Sequence, residues 1–178
     1  AIVLGPSLGI LVMTAVIALQ ALLFQDGGLL AMGANILVMG VLPALVGYGL
    51  YRPLANRAAR RLKLAGAALA AWLSVMAAAL LTALMLGFSN TVSFGVVVPV
   101  MLGIHALIGI GEALITVAAL GFIANARPRL LEQSAAQGGR SWAVDGLVLS
   151  LLVVLLAPLA SAFPDGLEWT AAELGFLE

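Results

Sequence analysis

Five long apolar stretches separated by short polar breaks set the pattern of this chain. They cover about residues 5 to 24, 29 to 51, 64 to 87, 95 to 123 and 144 to 162, and each reaches the roughly 20 mainly apolar residues that a membrane-spanning helix needs. The breaks differ in chemistry. "QDGG" (Gln25 to Gly28) has the Asp-Gly-Gly make-up of a tight polar turn. "RPLANRAARRLK" (Arg52 to Lys63) is a basic loop, "FSNTVS" (Phe88 to Ser93) carries no charge, and "NARPRLLEQSAAQGGRS" (Asn125 to Ser141) is a longer polar connection. From Ala162 onward the chain is polar enough to leave a bilayer. The pattern therefore predicts an all-α membrane protein, a bundle of about five transmembrane helices.

Composition supports this reading. Of 178 residues, 63% are hydrophobic and only 9% charged, whereas a soluble domain carries roughly 25% charged residues. Eight basic and eight acidic side chains cancel, so net charge points to no nucleic-acid partner. There are no cysteines, which removes disulfides, thiolate metal sites and a Cys nucleophile from consideration. The chain opens at Ala1 inside an apolar run, without Met, a basic leader or a cleavage site; this reads as a fragment or a processed chain and not as a signal peptide.

All eight Lys and Arg fall in two breaks, 52 to 63 and 127 to 140. With five alternating spans these lie on one side, and the positive-inside rule makes that side cytoplasmic. The N-terminus is then expected inside, with "QDGG", "FSNTVS" and the acidic tail outside. Small residues four apart (Gly5 and Gly9, Gly40 and Ala44, Gly66 and Ala70, Gly109 and Ala113) suit close helix packing where lipid supplies no hydrophobic drive. Pro43 lies inside the second span; it removes an amide donor and is expected to kink the helix.

Few polar residues interrupt the spans, and ionisable ones at membrane depth usually face a bundle interior or a water-filled path. "HALIGIGEALIT" (His105 to Thr116) holds two, His105 and Glu112, seven apart and thus on one helix face. At about 1.5 Å per residue, His105 lies roughly 9 to 15 Å below the outer surface, Asn35 about 9 Å and Gln20 about 6 Å, on three different helices. They are candidates to line a polar pocket that opens outward. Their structural alternative is hydrogen bonding to backbone carbonyls that locks helices together, and Glu112, placed deeper, is expected to organise the bundle. One histidine without a second His, Cys or nearby Asp does not make the three- or four-ligand set a transition metal prefers. No phosphate loop, G-x-S-x-G, H-E-x-x-H or intramembrane Asp pair occurs, so the chain reads as a non-enzyme with no cofactor bound for catalysis.

"ALLFQDGGLLAMGANILVMG" (Ala21 to Gly40), "LVGYGLYR" (Leu45 to Arg52) and "HALIGIGEALIT", in that order, resemble the CbiM/NikM family, the metal-capturing membrane component of cobalt and nickel transporters of the energy-coupling-factor class. "SAFPDGLEWTAAELGF" (Ser161 to Phe176), preceded by a single span, resembles the PDGLE domain of the same systems. The resemblance implies three parts: a metal-capture membrane domain over 1–125, a cytoplasmic linker over 126–143, and a PDGLE-like domain with one span over 144–178. It further implies a multi-pass protein of a bacterial or archaeal cell membrane that takes Co²⁺ or Ni²⁺ as transported substrate. Its partners would be an energy-coupling transmembrane subunit and cytosolic ATPase subunits.

In that family the main ligands come from the extreme N-terminus and from a histidine ahead of the "LGP" segment. The resemblance thus places the principal ligands upstream of Ala1 and leaves His105, Asn35 and Gln20 as supporting groups. Arg57, Arg60, Arg61, Arg127 and Arg129 are the expected contacts to cytosolic partners. The alternative reading is a coupling scaffold that grips ATPases through those arginines and binds no solute.

Overall fold

The computed structural model describes residues 1–24, 27–55, 59–126 and 172–173. Four helices among them are long and apolar enough to cross a membrane, over Pro6–Phe24, Leu29–Ala55, Arg60–Phe88 and Phe94–Ala126. The described residues contain no strand, and the chain is an all-α membrane protein. The expected fifth span over 144–162 and the linker before it lie outside the described residues, as do Arg57, Arg127 and Arg129.

The first span begins as α1 (Pro6–Leu19). Gly5 precedes it with a positive φ of 79° and Pro6 fills the first helical position, where a missing N–H costs nothing. Its last turn, Gln20–Phe24, widens into a π-helix. The second span is α2 (Gly28–Asn35), a π segment (Ile36–Val41) and α3 (Leu42–Ala55). Pro43 accounts for the position of that segment: it cannot donate to the carbonyl one turn back, and the wider π turn ends two residues before it. The expected kink thus takes the form of a π segment.

α4 (Arg60–Phe88) and α5 (Phe94–Ala126) form the longest hairpin. The turn between them is made locally. Asn90 adopts φ 57°, the left-handed region that Asn tolerates better than most residues, and the amides of Val96 and Val97 donate to the Ser93 carbonyl at 3.1 and 3.0 Å, opening α5. The rings of Phe88 and Phe94 meet edge to face, 5.1 Å between centroids, across the turn.

At the opposite end the sequence expectation needs correcting. Arg52–Lys63 is not one loop: α3 runs on to Ala55 and α4 starts at Arg60. Arg and Lys are good helix formers, so the break in hydropathy overstated the break in the helices. Arg52, Arg60, Arg61 and Lys63 consequently sit on helix ends, which defines a basic end of the molecule.

The helices pack in chain order, as a row. Among the described residues, α1 packs on the second span, α3 on α4, and α4 on α5, and the substantial packing of α5 is with α4. α4 can be central because its buried residues are small: Ala67, Ala70, Ser74, Ala79, Ala83 and Gly87. Small side chains admit neighbouring backbones closely, the main route to helix association in lipid. One core cluster, Tyr51, Ala67, Ala70 and Leu120, lies at the basic end, where Ile2 and Val3 also pack. A second, Ala79, Ala83, Val97 and Met101, lies toward the Phe88–Phe94 turn. Gly40 and Ala44 are both buried, and the β-carbon position of Gly40 is 3.4 Å from Met13 of α1.

Candidate functional site

Gln20 and Asn35 occupy equivalent places in the first two spans. Gln20 opens the first π segment, and Asn35 immediately precedes the second. A π segment accommodates an extra residue per turn, which shifts carbonyls out of their ordinary i−4 bonding; such segments recur at functional sites. The first π segment packs on α2, so these elements lie side by side. Both amide side chains are half-buried, and among the described residues neither has a side-chain hydrogen bond. Asn35 also closes over the turn between the spans. Gly27 there has φ 68°, and a β-carbon added to it would strike the Asn35 amide nitrogen, so glycine is required on two grounds.

His105 sits elsewhere. It is half-buried on α5, with α3 and α4 intervening in the packing order between it and the two amides. Its Nδ1 lies 2.8 Å from the Met101 carbonyl one turn earlier. A carbonyl only accepts, so Nδ1 donates, and in the neutral ring Nε2 is left with the lone pair. The structure therefore brings Gln20 and Asn35 onto adjoining elements and does not bring His105 to them.

Glu112 is exposed, against the expectation that it organises the bundle interior. The cause is the crossing of α4 over α5. At about 100° per residue, the buried positions Val97, Met101, Gly109 and Leu120 trace a contact line that winds around α5. Near Gly109 that line leans toward Ala106, whose carbonyl accepts the Trp72 indole N–H at 3.0 Å. Glu112, about 60° from Gly109 on the other side, has left the contact line by its own level. His105, nearer the line, remains half-buried.

Trp72 is the residue that sequence reading missed. Its indole spans the α4–α5 interface, bonded to Ala106 and packed so closely on Gly109 that a β-carbon there would sit 2.8 Å from Cδ1. A Trp in an Ala-rich span is itself a clue, since a buried indole N–H needs an acceptor. At the basic end, an Arg60 Nη donates to Asn125 Oδ1 at 2.8 Å and ties the start of α4 to the end of α5. The described acids are only Glu112 and Glu173, and Arg60 is joined to a neutral amide, not to either of them.

The described residues hold no group of three or more His, Cys, Asp or Glu placed to bind a metal ion. What they offer is one imidazole nitrogen and two amides in a low-dielectric setting, groups suited to supporting a cation held by other donors.

These features define a multi-pass α-helical membrane protein whose spans pack through small residues and hold a few isolated polar side chains. Residues 1–130 match the family described as CbiM, cobalt uptake substrate-specific transmembrane region. The chain belongs to that family, and with its four apolar helices it is a multi-pass cell-membrane protein. It is 45% identical over 133 residues to a Haloquadratum walsbyi protein named for metal transport, covering 73% of this chain and 59% of the relative. Identity is 37% over 183 residues to an Archaeoglobus fulgidus protein named as a fused nickel transport protein, NikMN, covering 99% of this chain and 60% of the relative. The cobalt transport protein CbiM of Sorangium cellulosum is 30% identical over 138 residues, 75% of this chain and 61% of the relative. The chain thus spans about 60% of the length of these relatives, and the activities in their names are those of transporters, not enzymes. No solved structure matches the chain.

Proposed function

We propose that this chain is part of the substrate-capture membrane component of a transporter of the energy-coupling-factor class that imports Co²⁺ or Ni²⁺. The observation that carries the reading is the family match over residues 1–130, a region that coincides with the four-span row. The positions of the polar residues support it. Gln20 opens the first π segment and Asn35 precedes the second, and His105 Nδ1 is engaged by the Met101 carbonyl, which leaves Nε2 outside that bond. The primary ligands lie outside this stretch, and these three residues act on the cation through or beside them. The energy-coupling subunit and cytosolic ATPases engage the basic end, where Arg60 and Arg61 open α4, with Arg57, Arg127 and Arg129 as further contacts. The PDGLE-like part, over 144–178, is an accessory module of the same assembly.

The test uses the full-length protein with its partner subunits. Equilibrium dialysis against Co²⁺ and Ni²⁺ should show binding that falls roughly 10- to 100-fold in His105→Ala, the usual loss when a supporting group is removed. A coupling scaffold, in contrast, retains its ATPases and binds neither metal. That result would replace the capture reading.

A further inference from the structure

Trp72 grips α5 at the residue next to His105. Its indole N–H donates to the Ala106 carbonyl at 3.0 Å, and the ring edge lies over Gly109, where a β-carbon would come within 2.8 Å of Cδ1. On the other side of His105, Met101 is buried in one cluster with Val97 and with Ala79 and Ala83 of α4. α4 therefore holds α5 above and below the histidine. At about 100° per residue, Met101 and Gly109 lie about 80° apart around α5, and His105 falls midway between them. The Met101 carbonyl holds its Nδ1 at 2.8 Å, so the ring is fixed to its own helix and any turning of α5 carries Nε2 with it.

The rest of the interface resists such turning weakly. The buried residues of α4 are small, Ala67, Ala70, Ser74, Ala79, Ala83 and Gly87; they let backbones approach but project too little to lock a rotation. A turn of about 20° sweeps an atom about 6 Å from the helix axis through about 2 Å, beyond the roughly 0.5 Å and 10–20° within which a binding constellation must be held. Trp72 opposes that turn twice. Its N–H would lose an acceptor that acyl chains do not replace, and its ring would lose the gap that Gly109 leaves for it. We propose that Trp72 is a positioning residue for metal capture: its bond to Ala106 and its seat on Gly109 set the rotation of α5, and with it the direction in which His105 presents Nε2. Trp72 touches neither ion nor ligand and acts through the α5 backbone. The inference rests on the reading of His105 as a supporting group for the cation.

A double-mutant cycle in metal affinity tests it, by equilibrium dialysis of Co²⁺ and of Ni²⁺ against the full-length protein with its partner subunits. Trp72→Phe keeps an aromatic body and removes the N–H; it should weaken binding about 3- to 10-fold, part of the roughly 10- to 100-fold loss expected for His105→Ala. In the His105→Ala background the same substitution should change affinity by less than about 2-fold. Gly109→Ala displaces the indole from the α5 side and should show the same dependence on His105; it takes the place of Trp72→Phe if that variant does not fold. Leu120→Ala loosens the same helix pair at the basic end, away from His105, and should leave affinity within about 2-fold, which separates positioning from stability. An equal loss in both backgrounds, no loss in either, or a loss matched by Leu120→Ala would overturn the proposal and leave the reading of His105 standing. A silent His105→Ala would overturn that reading, and the proposal with it.

Discussion

Gly109→Ala should destabilise the native protein but stabilise a variant that lacks Trp72. The added methyl would sit 2.8 Å from Trp72 Cδ1 and 3.3 Å from Nε1, inside any ordinary contact distance. Trp72 cannot simply swing aside, because its N–H is held by the Ala106 carbonyl at 3.0 Å. Relieving the overlap by moving the helices apart costs about 1 to 3 kcal/mol. Swinging the indole aside instead gives up its hydrogen bond, about 0.6 kcal/mol on average in a membrane protein, and also the packing of the ring across the α4–α5 interface, so this route is no cheaper. Against this, Ala is favoured over Gly in a helix by up to about 1 kcal/mol. The net expectation is a loss of up to about 2 kcal/mol in the wild-type background. With Trp72→Ala the overlap is gone and only the propensity gain remains, so the sign reverses. Reversible unfolding in mixed detergent micelles, followed by helical circular dichroism on the four members of the cycle, measures the coupling. Equal destabilisation by Gly109→Ala in both backgrounds would refute the close packing of Trp72 on α5.

Other outcomes follow from single features. Gly27→Ala combines a φ of 68° with a collision against Asn35, so it should lower stability by more than about 1 kcal/mol; Asn35→Ala should recover only part of that, as a melting curve would show. Arg60→Ala removes an exposed bond to a neutral amide and should change stability by less than about 0.5 kcal/mol, with no dependence on salt. Single cysteines in this cysteine-free chain test the orientation: an impermeant thiol reagent should label position 89 in intact cells and position 59 only after permeabilisation, and the reverse would invert the topology.

Much of the fold is legible in the sequence because its first four spans are bounded by real breaks in hydropathy. The Phe88–Ser93 break is a true turn, made by Asn90 and Ser93. The Arg52–Lys63 break is mostly helix, because charge ends a hydrophobic stretch without ending a helix. The π segments leave no mark on hydropathy, since one extra residue in a turn does not alter an apolar run. Only Pro43 hinted at the second. Glu112 shows a different limit. Its spacing from His105 correctly places both on one helix face, but whether that face is covered depends on how α4 crosses α5, which periodicity within a single helix does not contain. Trp72 was legible in principle, as an indole in a span of alanines with a glycine available opposite.

Cobalt or nickel import is the activity proposed for the transporter to which this chain contributes. Accumulation of radioactive Co²⁺ and Ni²⁺ by cells that express the complete transporter, with and without the gene for this chain, tests it most directly. ATP-dependent uptake of at least one of the two ions should disappear when the chain is deleted and return when it is restored. Uptake of both ions that is unchanged by the deletion, in cells with no second cobalt or nickel importer, would contradict it.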